Sequence, residues 1–222
     1  MKLTASTLFF TSLLSLAACS QPTEVADDGS SSTEANTEMQ PTDTETPPEE
    51  HTQVEVQPGQ DIPLLSGMHT AILHTSKGDI TLELNADVAP MAVTNFVMLS
   101  RAKLFDNLEN GVFKVEPGML FTAGDISGDG KGASIFGGTF KDENLQALAS
   151  GDVAMVNDGP NSNGSAFFVV SSDFGAPWLR TFSVFGKVTN GLDIAKEIAN
   201  APRHEDNHAP QEPIRFTVEV LE

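Results

Sequence analysis

Cysteine occurs once in this 222-residue sequence, at Cys19, which excludes any disulfide within the chain. Lysine and arginine are missing from Ser20 to Ser66, where Asp and Glu number eleven. The remaining residues, 67–222, carry twenty acidic and eleven basic side chains, a net of −9, so a surface that neutralises nucleic-acid phosphates is excluded. Hydrolase signatures of the form G-x-S-x-G are absent. The glycine loop "GDISGDGKGASIFGG" is no phosphate-binding loop, because Asp125 stands where its first glycine belongs and Gly132 follows Lys131 in place of Ser or Thr. Its "DISGDG" also lacks the ligand spacing and closing Glu of an EF-hand. "HEDNH" (204–208) matches H-E-x-x-H, yet it sits between Pro202 and Pro210 with no apolar residue to bury, so it reads as a solvated loop. No metal and no cofactor are expected.

The N-terminal stretch has one positive charge at Lys2, then an apolar run too short to span a bilayer comfortably, then small residues before Cys19, which is the pattern of an export signal. Leu16-Ala17-Ala18-Cys19 resembles the lipobox of bacterial lipoproteins, which implies lipidation of Cys19 and removal of residues 1–18; the alternative is an ordinary signal peptide cut nearby. The expected protein is anchored in the cell envelope without spanning its membrane. With Ser20 after the cysteine, the periplasmic face of an outer membrane is the expected address in an organism with two membranes. Residues 19–66, acidic and poor in apolar side chains, cannot offset the entropy of ordering and read as a disordered tether; an acidic tail for a basic partner is the alternative.

The folded part is expected over 67–222. "TAILHTSKGDITLEL" reads as a hairpin, with alternation at Ile80, Leu82 and Leu84. Helical spacing of Val93, Phe96, Val97 and Ser100 after Pro90 predicts a helix to about Ala102. Strand-like "VFKV" and "MLF" flank the turn Glu116-Pro117-Gly118. "DENLQALA" (142–149) predicts a short helix, "DVAMV" and "FSVFGKV" predict strands, and a helix near 191–199 precedes the final strand "IRFTVEV". Many short strands with few helices suggest an antiparallel barrel covered by helices at its ends.

"GVFKVEPGMLFTAGD", "GDVAMVNDGPNSNGSAFFVV" and "PWLRTFSVFGKV" occur in the order and spacing of the cyclophilins, and the chain resembles that family over most of 69–222, from "TSKGDITLEL" and "AVTNFV" onward. The resemblance implies a mainly β fold, an eight-stranded antiparallel closed barrel capped by two helices. It also implies peptidyl-prolyl cis-trans isomerase activity in a groove on the barrel's outer face. The turn-rich stretch Asn157 to Ser165 then walls a groove for an extended peptide. The partners implied are proline-containing, unfolded or exported polypeptides, and a monomer is the default for the fold.

The task needs no covalent step. An X-Pro amide resists rotation by about 18–20 kcal/mol, and the enzyme must favour the twisted amide over both planar forms. A cationic donor at the amide nitrogen and an apolar pocket for the ring serve that end. By resemblance the donor position, arginine in the family, is Lys114; the proline pocket holds Met119, Leu120, Phe168 and Phe182; Val156 and Asn157 hold the peptide backbone; Thr122 replaces the glutamine that orients the arginine; and Trp178 is retained. Alternation puts Phe167 and Phe168 on opposite faces of one strand, one for the core and one for the groove. Lysine keeps the charge but lacks the planar fork, a difference of about 1.5–3 kcal/mol if one charged hydrogen bond is lost. A proline-peptide-binding or chaperone module with weak or no catalysis is therefore the alternative.

Overall fold

The computed structural model describes residues 62–173 and 180–221, so Cys19 and Trp178 lie outside the described residues. Eight strands form one antiparallel sheet, which curls into a barrel. In chain order they are β1 (Met68–Thr75), β2 (Gly78–Asn85), β3 (Val112–Glu116), β4 (Leu120–Ala123), β5 (Asp152–Met155), β6 (Phe167–Val170), β7 (Val184–Asn190) and β8 (Phe216–Leu221). Their order across the sheet is β3-β4-β6-β5-β7-β2-β1-β8, and the two edges approach at a single bridge between Val112 and Ile214. Two helices accompany the sheet, α1 (Pro90–Arg101) and α2 (Leu192–Ala199).

The expected hairpin is β1–β2, in full register from Met68 opposite Asn85 to Thr75 opposite Gly78. The alternating side chains Ile80, Leu82 and Leu84 all point into the core. Helix α1 starts on Pro90, as its sequence predicts, but eight of its twelve residues are buried rather than one stripe. Phe96 explains its depth: it packs on Phe105, Phe167 and Phe185 with ring centroids 5.4–5.6 Å apart, so α1 plugs the barrel with an aromatic cluster. Chain before Gly67 joins this core too, since Ile62 and Leu65 pack against it and the Leu65 N–H donates to Thr94 Oγ1 at 2.9 Å.

The helix expected over 142–149 is not formed. The polar groups of its first residues, 142–145, are committed to distant partners in place of local helical bonding. Asp142 N–H donates to Asn161 Oδ1 and Glu143 N–H to Ser183 Oγ, while Leu145 forms an isolated bridge with Ser183. Asn144 adopts φ 44° and its Nδ2 donates to the Val184 carbonyl. The carboxylate of Glu143 accepts the N–H groups of Met91 and Ala92 at 3.2 and 3.0 Å. Those are orphan donors of the α1 N-terminus, which has no acidic residue of its own in the first turn. A residue about fifty positions away thus caps α1, and that commitment keeps the segment out of a helix.

The turn-rich stretch is held just as tightly. Asn95 on α1 donates to the Gly164 carbonyl and accepts from the Ile135 N–H, both at 2.9 Å. Gly164 passes so close to residues 131–132 that a Cβ there would stand 2.2 Å from the Gly132 carbonyl oxygen. The Ala166 N–H donates to Lys131 O and Ser165 Oγ to Gly124 O, so the glycine loop and the turn-rich loop form one bound pair.

Candidate active site on the outer wall of the barrel

Strands β3 and β4 meet through a tight turn in which the Met119 N–H donates to the Glu116 carbonyl at 2.9 Å. Pro117 and Gly118 occupy its centre, and Gly118 takes φ +72°, the left-handed value a type II turn requires at that place. This turn sets the register that opposes Lys114 to Thr122. Thr122 faces Phe168 on β6, Phe168 faces Ala154 on β5, and Ala154 faces Val184 on β7. One row of side chains therefore crosses five strands on the outside of the barrel.

Ala154, Phe168, Val170 and Val184 form a second apolar cluster, separate from the main core, with Leu120, Leu148, Val156 and Phe182 packed against it. Phe167 belongs to the main core, so the two adjacent phenylalanines divide between the faces as alternation requires. Phe182 precedes β7 in a loop and meets Phe168 edge-on with centroids 5.0 Å apart. The loop is fixed from the other side by Asn157, whose Nδ2 donates to the Thr181 carbonyl at 2.6 Å.

The structure thus brings Leu120, Val156, Phe168 and Phe182 together, sets Thr122 beside them in register, and puts Asn157 next to them. Met119 is not packed into this group: it stands exposed at the β3–β4 turn, with its carbonyl accepting from the Ser171 N–H and Oγ. The ammonium of Lys114 is 3.3 Å from Glu116 Oε1, with the lysine about half exposed.

Glu116 is the feature the sequence reading missed. Besides Lys114 it receives Arg203 Nη1 on Oε2 at 2.5 Å and His208 Nδ1 on Oε1 at 2.6 Å. Arg203 Nη1 also donates to the Val115 carbonyl. Burial by itself would raise the Glu116 pKa, but the hydrogen bonds from His208, Arg203 and Lys114 outweigh it and lower it to about 2. Two permanent cations share this one carboxylate, leaving a net positive charge beside the apolar cluster. Strand alternation already put residues 114 and 116 on one face; nothing local pointed to 203 and 208. His204 and His208 sit in a turn, not a helix, with the His208 N–H donating to the His204 carbonyl and His208 at φ 59°. Among the described residues no group of three His, Cys, Asp or Glu is placed to hold a metal ion.

An antiparallel eight-stranded barrel accompanied by two helices, with an apolar patch and a cation on its outer wall, is the architecture of a cyclophilin-like protein. Residues 70–220 match the family model described as cyclophilin type peptidyl-prolyl cis-trans isomerase/CLD, and the chain belongs to that family of isomerases. It is 38% identical over 154 residues to the peptidyl-prolyl cis-trans isomerase cypE of Dictyostelium discoideum, across 66% of this chain and 94% of that protein. It is 39% identical over 138 residues to peptidyl-prolyl cis-trans isomerase cyp15 of Rhizopus delemar, where the match spans only 21% of the longer relative. The crystal structure of a Cryptosporidium parvum cyclophilin type peptidyl-prolyl cis-trans isomerase superposes with TM-score 0.62 at 30% identity, covering 70% of this chain and 98% of that one. The same Cryptosporidium protein has also been crystallised in the presence of the dipeptide Ala-Pro, and that structure gives a TM-score of 0.61.

Proposed function

We propose that this protein is a lipid-anchored isomerase of the cell envelope that acts on X-Pro bonds of exported polypeptides as they fold. The observation that carries the site is the continuous row from Lys114 through Thr122 to Phe168, which ends in the Phe168–Phe182 pair. Phe168, Phe182 and Leu120 grip the proline ring, while Met119 stands apart from them at the exposed β3–β4 turn. Val156 and Asn157 hold the peptide backbone, and Lys114 donates to the amide nitrogen as it becomes pyramidal. The Ala-Pro dipeptide used with the related structure supports a proline peptide as the ligand class.

Anchorage rests on the lone Cys19 behind Leu16-Ala17-Ala18 and on the acidic stretch to residue 66. The full chain acts as a monomer whose tether gives the domain reach from the membrane. A Cys19→Ser chain released from the membrane fraction supports the anchor; one that stays membrane-bound refutes it.

The second reading, a proline-peptide-binding module without useful catalysis, is favoured by one observation: the ammonium of Lys114 already has a carboxylate partner. Isomerisation of a short Xaa-Pro peptide by the full chain, with Lys114→Ala and Lys114→Arg beside it, separates the two. A working donor predicts about a tenfold or greater loss with alanine and a gain with arginine. Peptide binding without acceleration in the parent chain selects the binding module.

A further inference from the structure

Lysine is a flexible donor: four methylenes separate its charge from the backbone, and holding it in one place costs side-chain entropy of about 2 kcal/mol. By resemblance an arginine here is oriented by a glutamine at the position of Thr122, and an ammonium on a flexible stem equally needs an external partner. Thr122, directly opposite Lys114, has a side chain too short to be that partner across the strand pair and is itself buried. Glu116 lies two residues along the same strand, on the same face, and reaches the ammonium at 3.3 Å.

We infer that Glu116 is the positioning residue for Lys114, holding its ammonium along the outer wall beside Leu120, and that the loop carrying Arg203 and His208 fixes Glu116 for this purpose. The inference rests on the reading of Lys114 as the donor. Its geometry is specific. Glu116 faces Leu120 in the β3–β4 register, and Leu120 packs on the Phe168 cluster, so the ammonium is drawn to the row that borders the pocket. Arg203 Nη1 is anchored by the Val115 carbonyl as well as by Glu116, which leaves the carboxylate little freedom to turn. The carboxylate stays ionised down to strong acid, so Lys114 keeps its partner across the whole range in which peptides are assayed. One carboxylate is shared by Lys114 and Arg203, so the three groups together keep one positive charge. The same contact that suggested an idle lysine therefore serves as its aim.

The test is a double-mutant cycle on the full chain, reading kcat/KM for one Xaa-Pro peptide, the peptide Kd, and the urea midpoint. Glu116→Gln is expected to lower kcat/KM about fivefold when Lys114 is present, the value of an ion pair worth about 1 kcal/mol, with peptide Kd unchanged. In a Lys114→Ala background the same substitution is expected to change nothing. An equal fall in both backgrounds overturns the inference, because Glu116 then acts on the site's structure and not on Lys114. No fall in the Lys114 background overturns it too. Lys114→Ala as active as the parent removes both the donor reading and this one, whereas a slow Lys114→Ala with a fully active Glu116→Gln removes this one alone. Should Glu116→Gln fail to fold, Glu116→Asp carries the same cycle: it keeps the charge for Arg203 and His208 but withdraws it from the ammonium by one methylene, and an intermediate loss is expected.

Discussion

Phe168 and Phe182 pack edge to face at 83°, 5.0 Å apart, outside the barrel, while Phe167, one residue before Phe168, makes the same kind of contact with Phe96 inside it at 5.4 Å. Adjacent residues of one strand thus belong to two separate apolar clusters, one inside the barrel and one on its outer wall. Phe167→Ala is expected to cost about 3–5 kcal/mol in chemical unfolding, as loss of a fully buried aromatic does. Phe182→Ala, in a half-buried loop position, should cost about 1 kcal/mol and weaken binding of a proline peptide instead. A titration showing unchanged affinity for Phe182→Ala would remove that residue from the groove.

Glu143 satisfies two N-terminal donors of α1, the helix whose Phe96 packs into the aromatic core. Removing the carboxylate leaves both N–H groups without a partner, the Ala92 group fully buried. Glu143→Ala should lower unfolding stability by about 1–3 kcal/mol, and Glu143→Gln, which keeps one acceptor, by less. Urea unfolding of the three chains decides it.

The depressed pKa of Glu116 links stability to pH with a definite sign. In the unfolded chain the group titrates near 4.5, in the folded one near 2. Its contribution is therefore complete above about pH 4.5 and is lost as pH falls through 2. Stability of the parent should fall across that window more steeply than that of Glu116→Gln, and parallel pH–stability curves would contradict the network seen around it.

Gly164 lies where the two long loops cross, and an added methyl group would meet the Gly132 carbonyl at 2.2 Å. Backbone atoms cannot yield as a side-chain tip can. Gly164→Ala should part the loops, destabilise the fold by about 1–3 kcal/mol and speed hydrogen exchange at the Ala166 N–H, which bonds across the same crossing.

Much of the fold was legible because its signals are local. The hairpin, α1, the Pro117-Gly118 turn and the division of Phe167 from Phe168 follow from periodicity and turn chemistry within a few residues. The segment 142–149 was misread for the opposite reason: its sequence is compatible with a helix, and only the demands of α1, Ser183 and Val184 keep it irregular. At the site, the motif order nominated Lys114, Leu120, Thr122, Val156, Asn157 and Phe168 as candidates, and the structure gathers Leu120, Val156 and Phe168 in one cluster with Lys114 and Thr122 in register. The state of Lys114 was not legible.

What the sequence determined by itself is the family, the strand and helix framework, and the chemical types lining the outer wall, since each is written in short-range pattern and motif order. What only the tertiary structure decided is how the lysine at the end of that row is held. Its partner Glu116 is fixed by Arg203 and His208, 87 and 92 positions away in the chain. Charges attract by distance in space, and a barrel brings together residues whose separation in sequence carries no trace of their contact.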